Sequence, residues 1–280
     1  MSKINLRTLL SKTVSAIKEK LGVDSFTWAQ FETKLSEAMN GADAFSKAVF
    51  EDGSVSFGKT EGDGRDLNIV VPNGISKIGL GIFYKNARLK TIVIPQSVET
   101  IEKNAFNECE NLVGITLNSG VKKIEENAFQ YCDSATELII PNSVETIGNN
   151  VCEYSGFQNI VIGDGTKTIG ESAFRYCRNL QTIKLGKNLT SIGESAFQGT
   201  AITEITIPKG ITVMGTGWFM ECNKLETIKF PEHEIIPTFT SDSRPGFGTT
   251  KYIEVPANLV SAWKAADRWS DFENMIRAIN

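Results

Sequence analysis

The amino-acid sequence predicts an α/β repeat solenoid with a helical segment at the N-terminus and a helical cap at the C-terminus. Three observations carry this. A unit of about 23 residues recurs seven times between about Gly79 and Asn223, with isoleucine at Ile78, Ile101, Ile124, Ile147, Ile169 and Ile192 and a methionine at Met214. A phenylalanine keeps the same step at Phe83, Phe106, Phe129, Phe174, Phe197 and Phe219, with Cys152 taking its place once. A strand-like triplet such as Ile92-Val93-Ile94 opens the unit, and a proline closes it at Pro72, Pro95, Pro141, Pro208, Pro231 and Pro256. Each unit buries too little apolar surface to offset the entropy of ordering its own backbone, so units of this size fold by stacking on one another.

In chain order, Leu6, Leu10, Val14, Ile17 and Leu21 recur at helical spacing and form an amphipathic stripe. Thr27 with Gln30 makes a capping box for a second helix bearing Trp28, Phe31, Leu35 and Met39, and Gly41 is placed to end it. Two readings of residues 1–45 stay open. They are a cap that shields the first coil, or an attachment module whose residues 6–39 join a larger assembly or a second copy. Residues 46–65 lead in, with a hairpin over Val49 to Phe57 turning at Asp52-Gly53. Glu61 to Asp66 lacks the spaced ligands of a calcium loop and reads as a turn.

The repeats occupy 66–249. In Ile92-Val93-Ile94 the outer residues point inward and the middle one outward. Proline, without a donor, is tolerated at the strand end, and Asn118, Gly163 and Gly186 replace it elsewhere. From Ile101 to Cys109 the apolar spacing suits a short helical or 3₁₀ turn on an outer wall. The eighth unit starts at Leu225 and abandons the pattern after Pro231, leaving an irregular loop from Glu232 to Thr249 as a candidate contact site. Residues 250–280 supply a last strand and a helical cap, with one face of Leu259, Trp263 and Ala266 and another of Trp269, Phe272, Met275 and Ile276.

The run Leu89-Lys90-Thr91-Ile92-Val93-Ile94-Pro95, continued through Ser97-Val98, Ile101 and Ala105-Phe106 to Cys109, resembles the BspA-type leucine-rich repeat. Ala135 to Ile147 resembles it as plainly, and the resemblance extends over about residues 66–280, including the closing segment. It implies a right-handed leucine-rich-repeat solenoid used for adhesion or protein binding, on bacterial or protist surfaces and in some phage proteins, and no catalysis. The chain departs from that pattern in its eighth unit and in carrying no secretion signal.

Composition narrows the function. With 280 residues, 41% of them hydrophobic, the chain can bury a core without disulfides or metal. A net charge of -4 with scattered lysines argues against a nucleic-acid surface. Cys109, Cys132, Cys177 and Cys222 share one repeat position, which reads as a row of small buried packers. The N-terminus has no signal-peptide run and the chain no apolar stretch long enough to span a membrane, so the expected location is a virion or cell surface by analogy, otherwise the cytoplasm.

Catalytic chemistry finds little footing. The single histidine, His233, reads as an exposed loop residue between Glu232 and Glu234, and Gly163 to Gly170 lacks the order of a phosphate loop. No cofactor or metal site is expected. Recognition is better supplied: nine stacked strands would make one sheet about 38 Å long with an outward ladder. The candidate binding residues are Val70, Val93, Thr116, Glu137, Ile139, Val161, Lys184, Glu204, Thr206 and Lys229, with Glu254 completing the row. Aliphatic residues dominate the first half and aromatic platforms are scarce, which favours a protein partner over a glycan. The alternative is a cytoplasmic scaffold that oligomerises through its N-terminal helices.

Overall fold

The computed structural model describes residues 66–71, 73–240 and 246–279. The helices expected at 6–21 and 27–41, the hairpin at 49–57 and the turn at 61–65 lie outside them. The chain runs β1 (Leu67–Val70), β2 (Lys77–Ile78), β3 (Leu89–Ile94), β4 (Thr100–Ile101), β5 (Gly114–Leu117) and β6 (Lys123–Ile124). It continues β7 (Glu137–Ile140), β8 (Thr146–Ile147), β9 (Asn159–Ile162), β10 (Thr168–Ile169), β11 (Thr182–Lys184) and β12 (Ser191–Ile192). It ends β13 (Glu204–Thr206), β14 (Val213–Met214), β15 (Thr227–Lys229), β16 (Thr238–Phe239), β17 (Tyr252–Val255), α1 (Val260–Ala265) and β18 (Ile276–Ala278).

Every pairing among these strands is parallel and joins one coil to the next, so the described chain is a solenoid. The longer strands form one face. Alternation is as the sequence predicts: Ile92 and Ile94 are buried and Val93 is half-buried on the outer side. The two-residue strands form a second column, with the central isoleucines turned into the core.

The expected continuous sheet is broken. The face divides into β1-β3-β5, β7-β9-β11 and β13-β15-β17-β18, and the second column stops at β12 and resumes at β14-β16. At both breaks of the face the incoming coil ends its strand in proline, Pro141 or Pro208, after a coil that ends in Asn118 or Gly186. Proline nitrogen has no hydrogen to offer the coil before it. Pro95 and Pro231 stand in coils whose ladders hold, so proline alone does not open a seam.

The third wall is a chain of β-turns: of the short helical or 3₁₀ turn the spacing suggested, it keeps bonds to the third residue back but forms no continuous helix. In one coil the N–H groups of Ala105, Asn107 and Cys109 donate three residues back, to the carbonyls of Glu102, Asn104 and Phe106. The N–H groups of Asn104, Phe106 and Glu108 between them donate instead to Glu126, Ala128 and Gln130 of the next coil, at 3.0, 2.8 and 2.8 Å. This alternation requires left-handed backbone at Asn104 and Glu108, with φ of 58° at each. A helix would spend those donors within its own coil and leave the wall without a ladder. Close stacking also explains Gly120, where a Cβ would lie 1.7 Å from the Gln96 carbonyl oxygen.

Under the wall, Phe83, Phe106 and Phe129 stack at 5.2 Å, and Phe174, Phe197 and Phe219 at 5.9 Å. Cys152 interrupts the row, and its coil buries a different ring, Phe157, where its neighbours carry Ala135 and Leu180.

The C-terminal end departs from the sequence reading twice. Thr238–Phe239 pairs with Val213–Met214, so the eighth unit keeps one rung that its sequence conceals. The second helical face expected at Trp269 to Ile276 is a 3₁₀ turn at Ser270–Phe272 followed by β18, which pairs with β17. Only Val260–Ala265 is α-helical among the described residues. Trp263 and Trp269 close the end of the core against Phe230, and the Trp269 Nε1–H donates to the Pro237 carbonyl at 2.6 Å. Truncating a fully buried ring in the phenylalanine row leaves a cavity the stacked coils cannot close. Phe106→Ala is expected to lower unfolding free energy by about 3–5 kcal/mol in urea titration, and a change below about 1 kcal/mol would mean the row does not hold the coils.

Candidate binding surfaces

The predicted face residues stand outward, in three groups rather than one ladder. Val70, Val93 and Thr116 are in register on β1, β3 and β5, and Ile139, Val161 and Lys184 on β7, β9 and β11. Thr206 and Lys229 are in register on β13 and β15. Val70, Ile139 and Val161 are apolar yet 65%, 56% and 37% exposed, which no packing need explains. Glu137 is exposed two places before Ile139. Glu204 forms a 2.6 Å ion pair with Lys229, and exposure makes that pair worth little to stability. Glu254 corrects the expected row: β18 lies beside it and its Arg277 donates to Glu254 Oε1 at 2.6 Å, burying the carboxylate.

Where β11 and β13 part, a cleft of about 340 Å³ opens, lined by Lys184, Lys187, Lys209, Glu204, Thr206 and Glu232 among others. Ile183 and Leu185, which also line it, are slightly more accessible than the core residues of neighbouring coils. Three predicted residues, Lys184, Glu204 and Thr206, thus border a break in the sheet.

A second surface, on the turn wall, escaped sequence reasoning. Tyr131, Tyr154 and Tyr176 occupy one repeat position, and their rings lie 5.3 and 5.0 Å apart along the array. All three have left-handed backbone, with φ of 56°, 57° and 54°, a costly conformation for a bulky side chain. The row ends at Gly199, where a Cβ would sit 2.3 Å from the Tyr176 ring. The Tyr176 hydroxyl donates to Glu221 at 3.1 Å, and the Arg175 and Arg178 guanidinium groups lie 4.8 and 4.9 Å from its ring centre. Beneath the rings runs a polar spine: Asn107 donates to Gln130, Gln130 to Glu153, and Arg175 to both Glu153 and Gln198. The spacing of 23 and 22 residues between these tyrosines was the available signal.

Groups able to do chemistry are spent on structure. Cys109, Cys132 and Cys222 donate their thiols to the carbonyls of Phe83, Phe106 and Phe197 in the preceding coil, and Ser155 does the same to Phe129. Cys177 donates to the Cys152 carbonyl, which stands in the phenylalanine place. The position therefore asks for a small donor. All five cysteines are free and buried, and burial pushes Cys109 and Cys177 up to about 12, far from the thiolate a nucleophile needs. Among the described residues no group of His, Cys, Asp and Glu could hold a metal ion, and no helix is long and apolar enough to cross a membrane.

His233 is buried, not exposed as its acidic neighbours suggested. Its Nε2 lies 3.1 Å from the Ile211 carbonyl, its Nδ1 has no partner, and Phe230 meets it edge-on at 5.1 Å. Burial lowers its pKa despite the Ile211 bond and Glu232. The unfolded chain then binds a proton near pH 6.5 that the folded chain refuses, so stability is full above that pH and falls as pH drops below it. His233→Gln, which keeps a donor for Ile211 but cannot titrate, is expected to reduce the loss of melting temperature between about pH 7 and 5; an unchanged slope would remove His233 from the account.

No curated protein matches the chain. Among solved structures it is similar to a leucine-rich repeat protein from Bacteroides ovatus, at 20% identity over 74% of this chain and 64% of that one, with a TM-score of 0.40. It is similar to a leucine rich cell surface protein from Faecalibacterium prausnitzii, at 23% identity over 69% and 56% of the two chains, TM-score 0.46. It is also similar to a T. pallidum leucine rich repeat protein, at 20% identity over 77% and 86%, TM-score 0.47. The chain spans less than two thirds of the length of the first two. The BspA type leucine rich repeat region is matched in six copies over residues 67–162 and 145–260, more than half of the sequence, and the chain belongs to that family.

Proposed function

We propose that this protein is a non-enzymatic binding module that presents its strand face to a protein partner, in the setting of adhesion at a cell or phage virion surface. The observation that carries the reading is the exposed apolar stripe of Val70, Ile139 and Val161 on a face whose strands need no aliphatic residue there. Thr116, Lys184 and Thr206 continue the stripe as exposed polar residues, and Val93 and Lys229 are half-buried within it. A partner would therefore meet an aliphatic half and a polar half of mixed charge on one scaffold. Buried thiols and a buried histidine support a role without catalysis. The family's use in protein binding and adhesion supports the setting.

Ile139 and Val161 are the positions to change, because both are exposed and in register. The full-length protein is probed against an array of purified bacterial and host extracellular domains, beside Ile139→Asp and Val161→Asp. Domains retained by the parent are expected to lose retention at least tenfold with either variant, with melting temperatures unchanged. Retention that survives both substitutions would move binding off the strand face, and a collapse of melting temperature would put these side chains in the core.

A further inference from the structure

The tyrosine ridge lies on a different wall from the strand face and has its own logic. Its repeat position reads Lys85, Glu108, Tyr131, Tyr154, Tyr176, Gly199 and Glu221 along successive coils. Reversed, the row matches itself: Lys85, which also pairs with Glu108 of its own chain at 3.3 Å, meets Glu221, Glu108 meets the Gly199 coil where the position carries no side chain, Tyr131 meets Tyr176, and Tyr154 meets Tyr154. That is the signature of an isologous contact, in which one patch serves both partners about a two-fold axis. The same rotation brings Arg178, packed on Tyr176, to the end where Asp133 and Glu110 are exposed. We infer that the ridge is the interface of a two-fold homodimer, centred on Tyr154 and antiparallel along the array.

The physical features suit an interface better than an unpartnered surface. Tyr131 and Tyr154 are 38% and 36% exposed at a left-handed position, where the neighbouring coils carry lysine, glutamate and glycine. Neighbouring coils fold without an aromatic there, and three in succession accept a left-handed conformation that their stacking on one another offsets only in part. Their faces are used on one another, so only edges and hydroxyls remain outward. Such edges contact another protein's side chains but offer a sugar ring no stacking platform. The rings stack on one another and Tyr176 also packs under Arg175, so little side-chain freedom is left to lose on association. Tyrosine with arginine is also the composition that concentrates binding energy at interface centres. A second copy is favoured over an unrelated partner because the order of charges along the row matches its own reversal.

The test is the mass of the full chain by light scattering over about 1–100 µM, a range that spans ordinary homodimer affinities. A dimer is expected. Tyr154→Asp sets two like charges on the axis and is expected to give monomers at all these concentrations, with the circular dichroism of the parent and a melting temperature that no longer rises with concentration. Lys85→Glu and Glu221→Lys are each expected to raise the dissociation constant about tenfold, and the double variant to restore it, because the swapped charges again oppose. A parent that is monomeric throughout overturns the inference. So does a dimer indifferent to Tyr154→Asp and to the charge reversals, which would assign association to residues 6–39 instead.

Discussion

Everything in this molecule depends on alternate backbone N–H groups of each coil being spent on the next coil. On the turn wall, Asn104, Phe106 and Glu108 donate across to Glu126, Ala128 and Gln130, and the pattern continues through Asn127, Phe129 and Tyr131 to the following coil. A ladder of this kind fixes the rise between coils at the spacing of parallel strands. Once that rise is fixed, a residue must sit on its equivalent one coil away. Rows of one residue type are the consequence: phenylalanines in the core, small donors at the cysteine position, tyrosines and a polar spine outside.

The same constraint shows where the array is weakest. Between the coils of β11 and β13 the face ladder lapses, and between β12 and β14 the second column lapses at the same level. Among the described residues the backbone bonds that cross here lie on the turn wall, Ser195 to Thr216 and Gly199 to Met220, joined by side-chain bonds from Cys222 to Phe197 and from Gln198 to Glu221. The cleft bordered by Lys184 and Glu204 is the visible result. The Tyr176 hydroxyl reaches past the Gly199 coil to Glu221 and so also bridges this level. The two segments of the array are joined there by the turn wall, by packing of the phenylalanine row, in which Phe197 and Phe219 remain stacked, and by β11 and β13 lying close without a ladder.

Much of this was legible in the sequence. The period of isoleucine and phenylalanine gave the coil and its core, and alternation in Ile92-Val93-Ile94 gave the outward row, because both patterns report burial directly. The hidden turn wall depended on hydrogen bonds and not on burial. The turn wall imitates a helix in its apolar spacing, and only the left-handed residues at Asn104 and Glu108 distinguish it. Phe239 stands 25 residues after Met214, so the last rung of the second column falls outside the period that reveals the others. His233 lies between two glutamates, yet its ring is drawn into the cap by Phe230, Trp263 and the Ile211 carbonyl. The tyrosine row was in period throughout, but an exposed position carries no hydrophobic signal to draw attention to it.

Hydrogen exchange followed by mass spectrometry on the full chain tests the central claim most directly, since it reads the coil-to-coil donors one segment at a time. The account predicts that wall segments containing Phe106 and Phe174 exchange with the slowest, global class, while segments covering 182–187 and 204–206 at the seam open and exchange well before them. Uniform protection across all coils, or a seam as protected as the wall, would contradict it.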